Sequence, residues 1–363
     1  MPPRLSAIDA VNPAFQRVSE LLFRRFRIPR WLKFGFIGWT AGAAGVGSFN
    51  FSYRAPTVPS VGQGDNPFKD LPGIMQEIQT SLAVHAGLLF LLGGLVVLLV
   101  LVGAYFACRF RFIQFDAVLS GNPEIARPWS RYASQADTFF LFWMAYLLIS
   151  WAALFFVLVL PLWRALKNGT FSGIDPLTAF FAVFATLFLG LAVFGLIFGI
   201  IAAMANDFVV PILALDNRGL GSAFSALKEM IKAEPGAFAG YLGMKLVLSI
   251  AGGVCLAIAF FIGFLVLLVP MVLLIVAGVM LAAVIKGVGA AGLAVGIFLL
   301  GLGVLVAATL VLGVMMAATA PFAVFFTAYS FYFFGGRYLP LGALLWPAPP
   351  PPIFPSPPGP AAV

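Results

Sequence analysis

The stretch that decides the fold is Asp207–Ile250, DFVVPILALDNRGLGSAFSALKEMIKAEPGAFAGYLGMKLVLSI. It predicts the end of one membrane helix, an amphipathic helix lying flat, and the start of a second membrane helix. Phe112–Ser150 repeats this plan about 95 residues upstream. Three pairs of aromatic residues correspond in the two stretches: Phe112 with Phe208, Trp129 with Phe224, and Tyr146 with Tyr241. The sequence therefore predicts two repeated units of span, amphipathic helix and span.

The composition indicates a lipid environment. Apolar residues make up 62% of the chain and charged residues 9%, against about 45–50% and 25% in soluble domains. The net charge is +8, and the 21 Lys and Arg residues lie mainly in three clusters between apolar runs. Such clusters suit an anionic membrane surface better than nucleic acid. The two cysteines lie in apolar surroundings and predict no disulfide framework.

Charge-free runs locate the predicted spans, because a bilayer core needs about 20 helical residues. Residues 78–108, 138–163 and 176–206 carry no charge and predict one crossing each. Forty uncharged residues follow Lys245, and fifty follow Lys286. A single helix of forty residues would be about 60 Å long, twice the hydrocarbon thickness. Each of these two runs is therefore interpreted as a hairpin of two spans, with turns near Gly263 and Thr309.

The N-terminal region leaves the number of spans open. A basic amphipathic helix is predicted first, since Phe15, Val18, Leu22 and Phe26 recur along one face. The glycine-rich segment Phe34–Ser48 then crosses the membrane, dips into it, or packs on other helices. Residues 1–48 also fit, as a rival interpretation, a signal peptide.

The distribution of Lys and Arg favours a crossing by that glycine-rich segment. If it crosses, sixteen basic residues share one side and four lie on the other, in agreement with the positive-inside rule. We therefore expect eight spans, with six or seven as alternatives, and both termini in the cytoplasm. The predicted fold is an all-α polytopic bundle with interfacial amphipathic helices.

Four regions follow from this pattern. Residues 1–50 hold the basic amphipathic helix and the glycine-rich segment, and residues 51–80 form a polar loop. Residues 81–337 form the transmembrane domain with its two repeated units. Residues 338–363 form a tail that is rich in proline and expected to be disordered.

The two flat helices bring basic side chains to the predicted cytoplasmic face. In the first, Ile125, Trp129, Tyr132 and Ala136 share an apolar face; in the second, the apolar stripe is Leu220, Phe224, Leu227 and Ile231. These helices are connectors that fix the tilt of the spans, or they bind anionic headgroups, and the two roles are compatible. The candidate headgroup contacts are Arg24, Arg25, Arg127, Arg131, Lys228 and Lys232.

Several degenerate hydrophobic motifs carry a resemblance. They are AIDAVNPAFQRVSELLFRRFRIPRWLKFGF, RFRFIQFDAVLSGNPEIARPWSRY, DFVVPILAL with PGAFAGYLGMKLVL, and FFTAYSFYFFGGRY. Through them the chain resembles a family of uncharacterised bacterial multi-pass membrane proteins, and more distantly the membrane domain of glycerophosphodiester phosphodiesterases. The resemblance implies an inner-membrane location and no established activity. The soluble phosphodiesterase domain of the fused relatives is missing from this sequence.

Residues with catalytic potential are few. His85 is the lone histidine, and no pattern predicts a metal site, a catalytic triad or a cofactor. The glycines of residues 287–292 match a dinucleotide motif by letter but open an apolar helix, which makes the match false. Lys245 is the best single candidate, because it lies within a predicted span. It either extends its ammonium to the headgroups, or pairs with Asp207 or Asp116 beside a polar cavity.

Two functions remain open. The first is a non-enzymatic membrane protein that engages anionic lipid or a protein partner through its basic cytoplasmic face; the partner could be a second copy of the chain. The second is a transporter of a small solute or lipid, supported by the duplicated units and the charge of Lys245 within a span. Nucleic acid is not expected as a partner. An intramembrane enzyme is the least favoured class because polar side chains do not converge.

Overall fold

The computed structural model describes residues 3–24, 26–43, 71–168, 175–216, 219–285 and 289–347. These residues are helical and contain no strand, so the predicted all-α class is confirmed. The helices are α1 Val11–Val18, α2 Ile28–Ala43, α3 Leu71–Ser120, α4 Ala126–Arg131, α5 Ala133–Leu154, α6 Leu160–Lys167, α7 Pro176–Met204, α8 Val210–Asp216, α9 Leu220–Ala233, α10 Pro235–Ile285, α11 Gly289–Gly335 and α12 Leu339–Leu345.

Single π-helical turns extend three of these helices. They span Ser19–Phe23 after α1, Phe155–Val159 between α5 and α6, and Ala205–Val209 between α7 and α8. In the second and third, a proline follows two residues after the turn, Pro161 and Pro211. Proline lacks the N–H that would bond the carbonyl four residues earlier, and its ring clashes with that carbonyl. Both of those carbonyls lie inside the wider turn, which accommodates the ring without breaking the helix.

Among the described residues, five helical segments are long and apolar enough to cross a membrane: Phe90–Ser120, Ala133–Ala165, Leu177–Asp216, Pro235–Gly278 and Ala294–Gly335. The protein therefore has the features of a multi-span membrane protein, and the predicted count of six to eight spans is not confirmed.

The two predicted hairpins are wrong. Helix α10 has 51 residues and runs through Gly263, and α11 has 47 residues and runs through Thr309. At 1.5 Å per residue the two helices are about 76 Å and 70 Å long. Gly263 is a packing residue, since a Cβ there would lie 2.4 Å from Cγ1 of Val314 on α11. The turns were predicted only from the length of the uncharged runs. Neither Gly263 nor Thr309 lies in a pair of residues that would end a helix.

One end of the bundle gathers the polar connections, and we call it the basic end: residues 3–24, 121–132, 219–234 and 336–347. Arg337 ties three of these segments, because its Nε donates to Glu234 at 2.9 Å and its Nη1 to the carbonyl of Leu5 at 3.0 Å. Arg17 of α1 donates to the carbonyls of Val118 and Leu119 at the end of α3. Four of the segments that the sequence placed on one side of the membrane thus meet, whereas the end of α10 at Ile285 lies at the other end of the bundle.

Helix α2 enters the bundle from the basic end, antiparallel to α3. Arg30 donates to the carbonyl of Gly121, and Phe36 packs edge-on against Phe110 deeper in the bundle. With 16 residues, α2 is about 24 Å long. Of the segment Phe34–Ser48, residues 34–43 are therefore helical and packed between α3 and α11, and residues 44–48 lie outside the described residues.

Packing is dense in the half of the bundle nearest the basic end and sparse in the other half. The buried aromatic side chains include Phe112, Phe139, Phe208, Tyr241 and Phe333. Beyond them the same helices carry large exposed apolar side chains; they include Phe90, Ile149, Phe188, Phe264 and Phe298. Such a surface far exceeds the apolar patches of soluble monomers and suits contact with lipid tails.

Three predicted boundaries change. The first flat helix, predicted over about 123–136, is only the six residues of α4; Tyr132 follows it and α5 begins at Ala133. Helix α3 begins at Leu71, inside the region predicted as a polar loop. Helix α12 occupies Leu339–Leu345, at the start of the predicted disordered tail, and residues 348–363 lie outside the described residues.

The N-terminal apolar stripe also differs from the prediction. Val18 and Leu22 are buried as expected, but Phe15 and Phe26 are 59% and 61% exposed. Ala10, Ala14 and Leu21 are buried instead. The small alanines let α1 approach α11 closely, so the phenylalanines extend along the outer surface. In α9, by contrast, the predicted stripe faces the bundle: Leu227 is buried, and Leu220, Phe224 and Ile231 are half-buried.

Candidate functional site

A polar cluster lies inside the spans around the carboxylate of Asp207. Tyr241 donates its hydroxyl to Oδ2 of Asp207 at 2.8 Å, and Nζ of Lys245 forms an ion pair with the same oxygen. The side chains of Lys245 and Asp207 are 17% and 11% exposed. Of the two partners proposed for Lys245 from the sequence, the structure selects Asp207.

Local structure explains this convergence. Asp207 lies in the π turn Ala205–Val209, and such turns change the direction of a side chain within a continuous helix. Tyr241 and Lys245 are four residues apart on α10 and so share one face. The ring of Tyr241 is held by stacking on Tyr329, with centroids 5.1 Å apart and an interplanar angle of 9°.

Arg111 of α3 joins the cluster and was not predicted as a functional residue. It is partly buried, it interacts electrostatically with Asp207, and within the described part of the chain its guanidinium forms no hydrogen bond or ion pair. The sequence placed Arg111 just outside the predicted span, which ended at residue 108. The repeat could have indicated a functional role for Arg111. Phe112 and Phe208 correspond in the two units, and Arg111 precedes Phe112 as Asp207 precedes Phe208.

The three charged residues lie at one depth. Arg111 is nine residues before Ser120, Asp207 is nine residues before Asp216, and these residues end their spans at the basic end. Lys245 is ten residues after Pro235, where its span begins. At 1.5 Å per residue, the cluster is about 14–15 Å inside the helix ends.

A groove of about 1340 Å³ opens beside the cluster, between α2, α3, α7, α10 and α11. Its polar lining comes from Arg111, Gln114, Asn206, Asp207, Lys245, Ser249, Thr319 and Thr327. Gln114 is held in place, since its Nε2 donates to Oγ1 of Thr327 at 2.8 Å. The Oδ1 atom of Asn206 is buried without a hydrogen-bond partner in the described residues. Such an atom can accept from a ligand or a water.

Asp116, the other predicted partner of Lys245, lies in a different place, near the basic end. Its Oδ1 accepts from the hydroxyl of Tyr132 at 3.2 Å and lies 3.8 Å from Nη1 of Arg131. Burial, and then the charge of Asp116, raise the pKa of Tyr132 to about 12. The tyrosine therefore stays protonated and remains a donor at neutral pH.

The predicted headgroup contacts differ in their availability. Arg24, Arg127 and Lys228 are exposed. Arg131 is exposed but near Asp116, and Lys232 is paired with Glu229 at 3.2 Å. Arg25 lies outside the described residues. The strongest candidates for contact with external anions are therefore the first three.

Other arginines at or near this end hold the fold together. Arg17 donates to carbonyls in the last turn of α3 and Arg30 to the carbonyl of Gly121 just after it, where helices leave carbonyls unsatisfied. Arg109 directly follows the span predicted over residues 78–108, and the structure places it within the helical segment Phe90–Ser120. It donates to the carbonyl of Trp129 and to Asp137, each at 3.0 Å.

The chemistry of the cluster is that of charge recognition. In the described part of the chain no three His, Cys, Asp or Glu side chains converge on a metal. The side chain of His85 lies outside the described set, although its backbone is part of α3. Two cations, one carboxylate and several amide and hydroxyl groups beside an apolar groove can hold a group with one negative charge.

Comparison with known proteins identifies a family and no activity. The chain belongs to a family of unknown function, DUF7544, whose model matches residues 5–344. No curated protein and no solved structure matches the chain. An uncharacterised family is therefore correct as predicted from the motifs, and the similarity to glycerophosphodiester phosphodiesterases has no support.

Proposed function

We propose that this member of a family of unknown function is a non-enzymatic integral protein of the inner membrane. Its basic end faces the cytoplasm and binds anionic lipid headgroups. Both termini are then cytoplasmic, in line with the excess of Lys and Arg on that side.

The observation that carries this proposal is the outer surface of the N-terminal segment. Ile8, Phe15, Phe23, Phe26 and Ile28 are between 57% and 72% exposed. The cations Arg24 and Arg27 are exposed in the same stretch. A surface that combines exposed aromatic rings with arginines is typical of segments lying at the boundary between headgroups and acyl chains.

The short helix α4 and the helix α9 extend this surface. Arg127 and Lys228 project from them, and a basic residue near an anionic leaflet contributes about 1 kcal/mol of binding free energy. Because Glu229 already pairs with Lys232, that lysine adds less.

Native mass spectrometry of the purified protein tests the proposal. The wild type is expected to retain phosphatidylglycerol in preference to phosphatidylcholine. The triple variant Arg24→Gln, Arg127→Gln, Lys228→Gln is expected to weaken that preference by about fivefold per residue. Matched changes at the other end of the bundle, Arg164→Gln and Lys167→Gln, are expected to have no effect. Equal retention by the wild type and the triple variant would contradict the proposal.

A second candidate function is transport of a small solute or lipid. The groove beside the Lys245–Asp207 pair favours it, since charged side chains within spans commonly mark a substrate pathway. Flux into vesicles that hold the purified protein tests this function. Transport predicts a flux that Lys245→Met abolishes, whereas a lipid-binding protein gives no flux in either form. The native mass spectra described above also measure the oligomeric state, and so they test association with a second copy of the chain.

A further inference from the structure

We propose that the groove beside Asp207 binds one phosphatidylglycerol molecule, with its phosphate against Arg111 and Lys245 and its acyl chains along the apolar wall. This site is distinct from the basic surface proposed above. It lies about 14–15 Å inside the helix ends, and either proposal can fail without the other.

The charge of the cluster requires an anion. Arg111 and Lys245 carry two positive charges and Asp207 carries one negative charge. Asp207 is already engaged by Lys245 and Tyr241. Arg111 lacks a hydrogen-bonding or ion-pair partner among the described residues, and an uncompensated charge within a span is costly. A ligand with a single negative charge neutralises the cluster.

The size and position of the groove indicate a lipid. Its volume of about 1340 Å³ is above the roughly 300–1,000 Å³ of pockets for drug-sized ligands. Its walls include Phe188, Leu246, Ile250 and Val254, which line the groove and are also 45–66% exposed. The groove is therefore continuous with the surface that faces the acyl chains, and a phospholipid can enter it sideways.

The polar lining distinguishes among anionic lipids. The phosphate oxygens accept hydrogen bonds, which suits the guanidinium of Arg111 and the ammonium of Lys245. The buried Oδ1 of Asn206 is an acceptor without a partner in the described residues, and a donor on the ligand can satisfy it in place of water. Glycerol hydroxyls of the phosphatidylglycerol headgroup are such donors. A phosphodiester without a hydroxyl leaves this acceptor to water and is expected to bind more weakly.

Lipid retention on the purified, full-length protein tests this site. Native mass spectra are recorded at high salt. High salt removes lipid from exposed cations but acts less on a buried site. The wild type is expected to keep one phosphatidylglycerol, and Arg111→Gln to bind it at least tenfold more weakly. Arg111→Lys should restore part of the binding, and Lys167→Gln at the far end should leave it unchanged.

Two further arms distinguish the sources of the negative charge. Phosphatidylmethanol lacks the hydroxyls, and it should bind to the wild type about threefold to tenfold more weakly than phosphatidylglycerol does. The variant Asn206→Leu should bind the two lipids equally well. Inorganic phosphate or a fatty acid should not displace the bound lipid. Retention that is the same in wild type and a folded Arg111→Gln would overturn the proposal, as would equal retention of phosphatidylcholine or displacement by phosphate. Thermal unfolding of each variant shows that it is folded.

Discussion

The half of the bundle nearest the basic end and the half beyond it belong to the same long helices, yet only the first is densely packed. In the first half, aromatic and small side chains are buried together and polar side chains bond across helices, as around Phe208 and Asp207. In the second half, Leu, Val and Phe side chains are exposed. Lipid tails are as apolar as leucine, so hydrophobicity alone does not bring membrane helices together. Close fit and polar contacts do, and these are concentrated at one end.

The largest expected effect compares one phenylalanine from each half. Phe208 is fully buried and contacts the rings of Phe238, Tyr241, Phe333 and Phe334. Phe208→Ala should lower the free energy of unfolding by about 3–5 kcal/mol. Phe264 is 62% exposed, and Phe264→Ala should change it by less than about 0.5 kcal/mol. Unfolding in detergent micelles measures both, and similar losses would show that the far half is packed as well.

Removal of Lys245 tests the polar contacts of the packed half. Loss of one partner of a buried ion pair costs about 3–5 kcal/mol, and we expect Lys245→Met to cost about 3, since Arg111 remains to interact with Asp207. The double variant with Asp207→Asn should lose less stability than the sum of the two single variants, because both single changes break the same ion pair. A double-mutant cycle by thermal unfolding measures the coupling. Additive effects would mean that the pair does not stabilise the bundle.

Close approach of helices is tested by two glycines of α2. A Cβ on Gly35 would lie 2.0 Å from the carbonyl oxygen of Met316, a backbone atom on α11. Gly35→Ala should therefore push the helices apart, at a cost of about 1–3 kcal/mol. Gly42 has open space around it, and Gly42→Ala is the matched control with no expected loss. If the melting temperatures of Gly35→Ala and Gly42→Ala fell equally, the close contact between α2 and α11 would not be at Gly35.

The smallest expected effect separates two kinds of arginine at the basic end. Arg17 donates to two carbonyls of α3, whereas Arg24 is exposed. Arg17→Ala should cost about 1 kcal/mol, because water replaces part of the lost bonding at this partly exposed site. Arg24→Ala should leave stability unchanged and should weaken binding to anionic vesicles. If both variants lose stability alike, Arg24 has a structural role too.

The sequence predicted the membrane class for a physical reason that holds in the structure, and it gave the Lys245–Asp207 pair as one of the alternatives for Lys245. A chain with 9% charged residues cannot cover its surface in water, and a lysine inside a span requires a counter-charge. The sequence does not give distances between side chains, so Asp116 remained an equal alternative to Asp207 as the partner of Lys245.

The sequence was less informative about helix ends and about Arg111. Turns were placed near Gly263 and Thr309 by length, yet neither position carries a residue pair that ends a helix. Arg111 was placed outside the predicted span because the charge-free run that defined this span ends at residue 108. Its place inside the span became visible only when the end of α3 was located at Ser120.

Accessibility of single cysteines tests the central claim most directly. In a background with Cys108 and Cys255 replaced by alanine, Lys228→Cys reports on the basic end and Lys167→Cys on the other. Treatment of intact cells with a membrane-impermeant maleimide should label position 167, and should label position 228 only after the membrane is permeabilised. Labelling of both positions from the same side would contradict a bundle that crosses the membrane with its basic end in the cytoplasm.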